Sequence, residues 1–110
     1  MDKKLIEKII NFRDDRNWSQ FHNPKDLAIS ISIEANELLE LFQWNSNKET
    51  VENNLQDLQD ELADIRIYCI LMADKLDIDL EKAVEHKLDK NKGKYPVEKA
   101  YNSKEKYDKL

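Results

Sequence analysis

The run from Pro24 to Trp44 constrains the fold most, because it reads as a helix that carries acids on its apolar side. Asn23 is suited to be its N-cap and Pro24 to be its first helical residue, where a missing N–H removes no helical bond. On a 3.6-residue wheel Leu27, Ile31, Ala35, Leu38, Leu41 and Phe42 share one arc. Glu34 falls inside that arc and Glu37 on its edge, roughly 60° apart. A solvated helix would turn both acids outward, as it does Glu40. Carboxylates aimed at a core are costly unless something positive meets them.

The same pattern recurs downstream. A helix expected over Glu49–Leu76 has an apolar stripe of Val51, Leu55, Leu58, Leu62, Ile65, Cys69, Met72 and Leu76. Glu61 lies within the stripe and Asp64 just beyond it. Asp57 and Tyr68 lie on the same side, and Asp57 is expected to pair with a neighbouring Lys or Arg. Upstream, residues 3–16 read as a first helix, followed by a loop over Asn17–Asn23 that holds Trp18, Phe21 and His22. Such rings either plug the core or face a ligand. After Leu76, Asp79 is the expected N-cap of a fourth helix that Gly93 would stop. Lys87, Lys90, Lys92 and Lys94 gather near its end, where the helix dipole already favours cations. Tyr95-Pro96 ends regular structure, which leaves one domain over residues 1–96 and a charged tail over 97–110.

With one Gly, two Pro and helical apolar spacing, the fold class is all-α. Charged residues make up 37% of the chain, yet the periodic segments predict folding rather than disorder. A net charge of −5 argues against a nucleic-acid duplex as partner. Cys69 stands alone, so no disulfide framework is expected, which suits a reducing compartment. Nothing reads as a signal peptide or a membrane span, and the expected location is the cytoplasm.

If the second and third helices pack antiparallel, Glu34-x-x-Glu37 and Glu61-x-x-Asp64 converge. Four carboxylates in one cleft would not all stay ionised without compensation. All-oxygen ligation points to a hard cation, and Mg²⁺ fits a site that keeps waters and accepts phosphate oxygens. A di-iron or ferritin-like site would need Glu-x-x-His pairs, and both motifs lack the His. There is no Gly-rich phosphate loop. Mg²⁺ with lysines and an asparagine nearby suggests phosphate chemistry, in which a carboxylate orients or deprotonates water.

These residues resemble a known family. Glu34-x-x-Glu37 followed by Glu61-x-x-Asp64 is similar to the signature of the MazG-like all-α nucleoside triphosphate pyrophosphohydrolases. The resemblance, closest to the dCTP pyrophosphatase branch, extends to residues 13–27, to Glu40-Leu-Phe-Gln-Trp44 and to the segment Lys87–Pro96. It implies a four-helix bundle, assembled as a tetramer in preference to a dimer. It also implies Mg²⁺-dependent hydrolysis of nucleoside triphosphates to monophosphate and pyrophosphate. Glu34, Glu37, Glu61 and Asp64 would hold metal, and one of them would activate water. Lys87, Asn91, Lys94 and Tyr95 match the triphosphate-binding segment, while Trp18, His22, Trp44 and Tyr68 match the base pocket. The family commonly has Gly where this chain has Asn36, and a basic residue where it has Gly93. The alternative is a helical interaction module whose acids form intersubunit salt bridges. Ile29 and Ile33, off the main apolar arc, suggest self-association under either reading.

Overall fold

In the computed structural model, which describes residues 2–110, helix α1 spans Lys3–Asp15. Asp2 caps it by accepting from the Lys4 backbone N–H at 2.9 Å. Asn17, with a left-handed φ of 54°, turns the chain into a short 3₁₀ turn over Trp18–Phe21. The expected loop is therefore partly ordered as a helical turn.

Helix α2 spans Pro24–Glu40 and starts as its cap chemistry predicts. Asn23 Oδ1 accepts from the Asp26 N–H at 2.9 Å, and Asn23 Nδ2 donates to Asp26 Oδ2 at 2.7 Å. It ends earlier than the apolar pattern suggests. The N–H groups of Leu41, Phe42 and Gln43 bond three residues back, and Trp44 takes a left-handed φ of 67°. That tightening closes the helix before Trp44 is reached.

The long third helix expected from the sequence is two helices, α3 over Asn47–Asn53 and α4 over Leu55–Lys75. Asn54 leaves the helical region with φ −126° and ψ 25°. Asparagine side chains compete for backbone groups, and here Asn54 Nδ2 reaches Asp57 Oδ2 at 3.4 Å. Asp57 thus meets an amide rather than the expected Lys or Arg. Ser46 caps α3 by accepting from the Glu49 N–H at 3.1 Å. Thr50, 0% exposed, donates its hydroxyl to the Leu41 carbonyl at 3.0 Å and locks α3 against the end of α2.

The main packing is α2 on α4, with α1 also on α4. The pairing runs antiparallel. Glu37 acts on Glu61, Glu34 groups with Glu61 and Asp64, and Ser30 bonds Tyr68, so falling numbers meet rising ones. Leu27 near the start of α2 and Ile70, Leu71 and Ala73 near the end of α4 form the buried core. Cys69 is only partly buried. The acids sit midway along both helices, away from that core. Asp77 ends α4 with a left-handed φ of 55°, and the Ile78 N–H returns to the Ala73 carbonyl at 2.8 Å.

The chain divides into two compact units, one ending at Ile78 and one over Asp79–Leu110. In the second, α5 spans Leu80–Lys94, with Asp79 accepting from the Lys82 N–H at 3.1 Å. Gly93 does not stop it. The end falls at Lys94, because Tyr95 precedes Pro96 and is pushed out of the helical region to φ −123°, ψ 66°. A single turn, α6, over Val97–Ala100 and a 3₁₀ turn over Tyr107–Lys109 follow. No strand occurs among the described residues.

Candidate metal centre and its neighbouring cavity

Because α2 and α4 run antiparallel, acids placed three apart on each come face to face. One carboxylate oxygen from each of Glu34, Glu61 and Asp64 lies within 4.8 Å of the other two. A divalent cation holding oxygens at about 2.0–2.6 Å separates opposed ligands by roughly 4–5 Å, so the spacing fits one ion. Glu34 Oε2 and Glu61 Oε2 are shut off from solvent and have no hydrogen-bond partner. Buried carboxylate oxygens normally find a donor. Here they find each other, and a cation is the partner that chemistry asks for.

The electrostatics tell the same story. Burial, with contacts to Glu37 and Glu61 and the charges of Glu37 and Asp64, pushes the Glu34 carboxyl up to about 7. Burial also raises Glu61, against the opposing contact with Glu34 and with the charges of Glu37 and Asp64 adding to it. Burial raises the Tyr68 phenol, helped by the charges of Glu34, Asp64 and Glu37, while a hydrogen bond with Ser30 pulls it back. Glu37 brings no oxygen into the three-membered group, yet its charge reaches Glu34, Glu61 and Tyr68. Asn36, between the first two acids, turns away and donates to the Ser32 carbonyl at 2.8 Å.

A cavity of about 350 Å³ opens from Asp64, lined among others by Phe12, Arg13, Trp18, His22 and Tyr68. Three of the four residues expected around a base are therefore gathered beside the acids. The fourth is not. Trp44 is 92% exposed and does not line this cavity. Trp18 meets Phe12 edge-on, with centroids 5.7 Å apart, and the Arg16 guanidinium caps Phe12 at 3.8 Å.

Arg13 escaped the sequence reading, although it continues the Ile6, Ile9 and Ile10 side of α1 and so signals a buried charge. It is 7% exposed, and donates from Nε to Asp14 at 2.9 Å and from Nη1 to Asp74 at 2.8 Å. Lys75 Nζ reaches both the carbonyl and the hydroxyl of Ser19 at 3.2 Å. The two cations tie α1 and the 3₁₀ turn to the end of α4. Burial, then the charges of Arg13 and Lys75, lower the His22 pKa, and its buried Nδ1 has no partner. The cavity thus holds an imidazole whose protonation is disfavoured and whose Nδ1 is unpartnered.

In the second unit Lys87, Asn91 and Lys94 share one face of α5, four and three residues apart, with Tyr95 next. Lys94 Nζ stands 4.8 Å from the centroid of the Tyr107 ring. A Cβ on Gly93 would meet nothing within 4 Å, so the helix there has room for a larger residue.

Known proteins resemble this chain over most of its length. Two dCTP pyrophosphatase 1 proteins match over 104 residues, that of Rattus norvegicus at 39% identity and that of Homo sapiens at 38%. Each match covers 90% of this chain but 61% of the relative, so the chain spans about three fifths of their length. The crystal structure of a pyrophosphatase from Archaeoglobus fulgidus superposes with a TM-score of 0.81 at 42% identity. That match covers 86% of this chain and 91% of the other. The family model described as MazG-like matches residues 29–110. Glu34, Glu37, Glu61 and Asp64 all lie inside that span, on the helices that bring their carboxylates together, and the chain belongs to the MazG-like family.

Proposed function

We propose that the protein hydrolyses nucleoside triphosphates between the α- and β-phosphates, with Mg²⁺, to a monophosphate and pyrophosphate. The observation that carries this is the group of three carboxylates with two buried, unpartnered oxygens. Glu34, Glu61 and Asp64 hold the cation, with Glu37 as the fourth acid of the cluster. The cation would neutralise phosphate charge and draw electron density from phosphorus. One carboxylate of the cluster would accept the proton of the attacking water, and Glu37, which contacts Glu34 and Glu61, is a candidate for it. Lys87, Asn91, Lys94 and Tyr95 bind the triphosphate, the lysines as point charges and Asn91 as an amide donor.

Trp18, His22 and Tyr68 receive the base. Ring stacking tolerates any base, so the choice falls to the cavity's size and its unpaired polar atoms. The relatives' names support dCTP or a modified dCTP as the preferred substrate. The single cysteine suits work in a reducing compartment such as the cytoplasm, and no described helix is long and apolar enough to cross a membrane. The protein acts as a homo-oligomer, a tetramer or a dimer, through the side of α2 carrying the exposed Ile29 and Ile33.

The test is pyrophosphate release from a panel of canonical and modified triphosphates, with Mg²⁺ and with a chelator. Release with Mg²⁺ alone, fastest for dCTP or a 5-substituted dCTP, is expected. No release from any triphosphate would leave a helical interaction module.

A further inference from the structure

Beyond Pro96, residues 97–110 read from sequence as a charged tail. In the structure it doubles back. The single turn α6 is followed by a reversal in which the Ser103 N–H bonds the Ala100 carbonyl at 2.9 Å and Asn102 takes a left-handed φ of 63°. The second 3₁₀ turn then brings Tyr107 onto the end of α5. Its ring meets Tyr95 edge to face, with centroids 6.1 Å apart at 84°, and its face receives the Lys94 ammonium at 4.8 Å. We propose that Tyr107 is a positioning residue for the phosphate-binding end of α5, acting through Lys94 and Tyr95. This rests on the reading of Lys94 and Tyr95 as phosphate contacts.

The physical argument is about what kind of partner a phosphate-binding lysine can have. Lys92 is held near Asp89 at 3.9 Å, a contact that offsets its charge. Within the second unit no carboxylate pairs with Lys94. An aromatic face restrains the ammonium while leaving its full charge for an anion. A lysine stem otherwise loses substantial rotamer freedom when it engages a ligand. Tyr107 therefore holds Lys94 ready without neutralising it, and the same ring buttresses Tyr95. A carboxylate in the same place would compete with phosphate.

The experiment compares Tyr107→Leu, Tyr107→Phe, Lys94→Ala and the Lys94→Ala/Tyr107→Leu pair in the full chain. Readouts are KM, kcat, the half-saturating Mg²⁺ concentration and inhibition by inorganic pyrophosphate. Tyr107→Leu is expected to raise KM and the pyrophosphate inhibition constant about two- to fivefold, the range for an exposed cation–π contact. It should leave kcat and Mg²⁺ saturation unchanged. Tyr107→Phe keeps the ring and should behave as wild type. In the Lys94→Ala background Tyr107→Leu should add nothing. Tyr101→Leu, 77% exposed on the same tail, is the control and should be silent. Wild-type constants for Tyr107→Leu, or a loss that simply adds to that of Lys94→Ala, would overturn the proposal. A loss in Tyr107→Phe as large as in Tyr107→Leu would overturn it too. If Lys94→Ala itself changes neither constant, the phosphate reading falls first and takes this one with it.

Discussion

Glu34 is where folding and chemistry conflict. Its carboxyl sits at about 7 in the folded chain, against 4.5 ordinarily. Without metal, the folded state therefore keeps a proton that the unfolded state has released between roughly pH 4.5 and 7. Stability then falls as pH rises across that window and is flat above it. His22 works the other way, since its lowered pKa costs stability as pH falls below 6.5. Comparison with Glu34→Gln isolates the carboxyl. Thermal melts in chelator should show the wild type losing ground to the variant from pH 4.5 to 7, and Mg²⁺ should reverse that loss. Parallel profiles would mean that Glu34 is not the charge being suppressed. Glu61→Gln should abolish turnover yet preserve helical circular dichroism, and melt higher than wild type in chelator because repulsion is relieved. Retained turnover would remove Glu61 from the site.

At the scale of elements, the joint between α1, the first 3₁₀ turn and α4 depends on Arg13 and Lys75. Arg13 bridges Asp14 and Asp74 from a buried position, a geometry that suits a planar fork with several donors. Arg13→Lys should lose most of what Arg13→Ala loses, about 1–3 kcal/mol in chemical denaturation, because one ammonium cannot reproduce both bonds. Wild-type stability in Arg13→Lys would reduce the joint to simple charge. The elements also show what sequence can reveal. Asn23-Pro24 and Asp79 announced their helix starts because caps are local chemistry, and the acids stood out because they interrupt apolar arcs. The break at Asn54 was not legible, since apolar spacing continues through it and one residue's backbone angles decide the matter. The end of α2 was hidden for the same reason, with Leu41 and Phe42 keeping the apolar period while already in turns. Trp44 carries the consequence: with a left-handed backbone it stands exposed, apart from the cavity of Trp18, His22 and Tyr68 with which the resemblance grouped it.

For the whole molecule, that displaced tryptophan bears on assembly. Trp44 at 92% exposure stands in the same unit as Ile29, Ile33 and Leu39, all exposed on α2. Exposed Ile29 and Ile33, one helical turn apart, offer an apolar strip that a second copy could cover. Trp44 does not line the cavity of Trp18, His22 and Tyr68 in its own chain, so if it reads a base there it does so from a second copy, and loss of self-association should carry loss of base choice with it. Ile33→Glu sets a charge in the apolar face and should shift the sedimentation mass from oligomer to monomer. Trp44→Ala should leave the mass unchanged and lower kcat/KM for dCTP by about one to two orders of magnitude, from the usual worth of a stacked base. Its effect on dATP should be smaller. Ile33→Glu should reproduce that selectivity loss at low protein concentration and recover as concentration rises. Equal losses for dCTP and dATP in Trp44→Ala would remove the indole from base choice. A monomeric wild type with full dCTP activity would separate Trp44 from base reading, and leave Trp18, His22 and Tyr68 to do it alone.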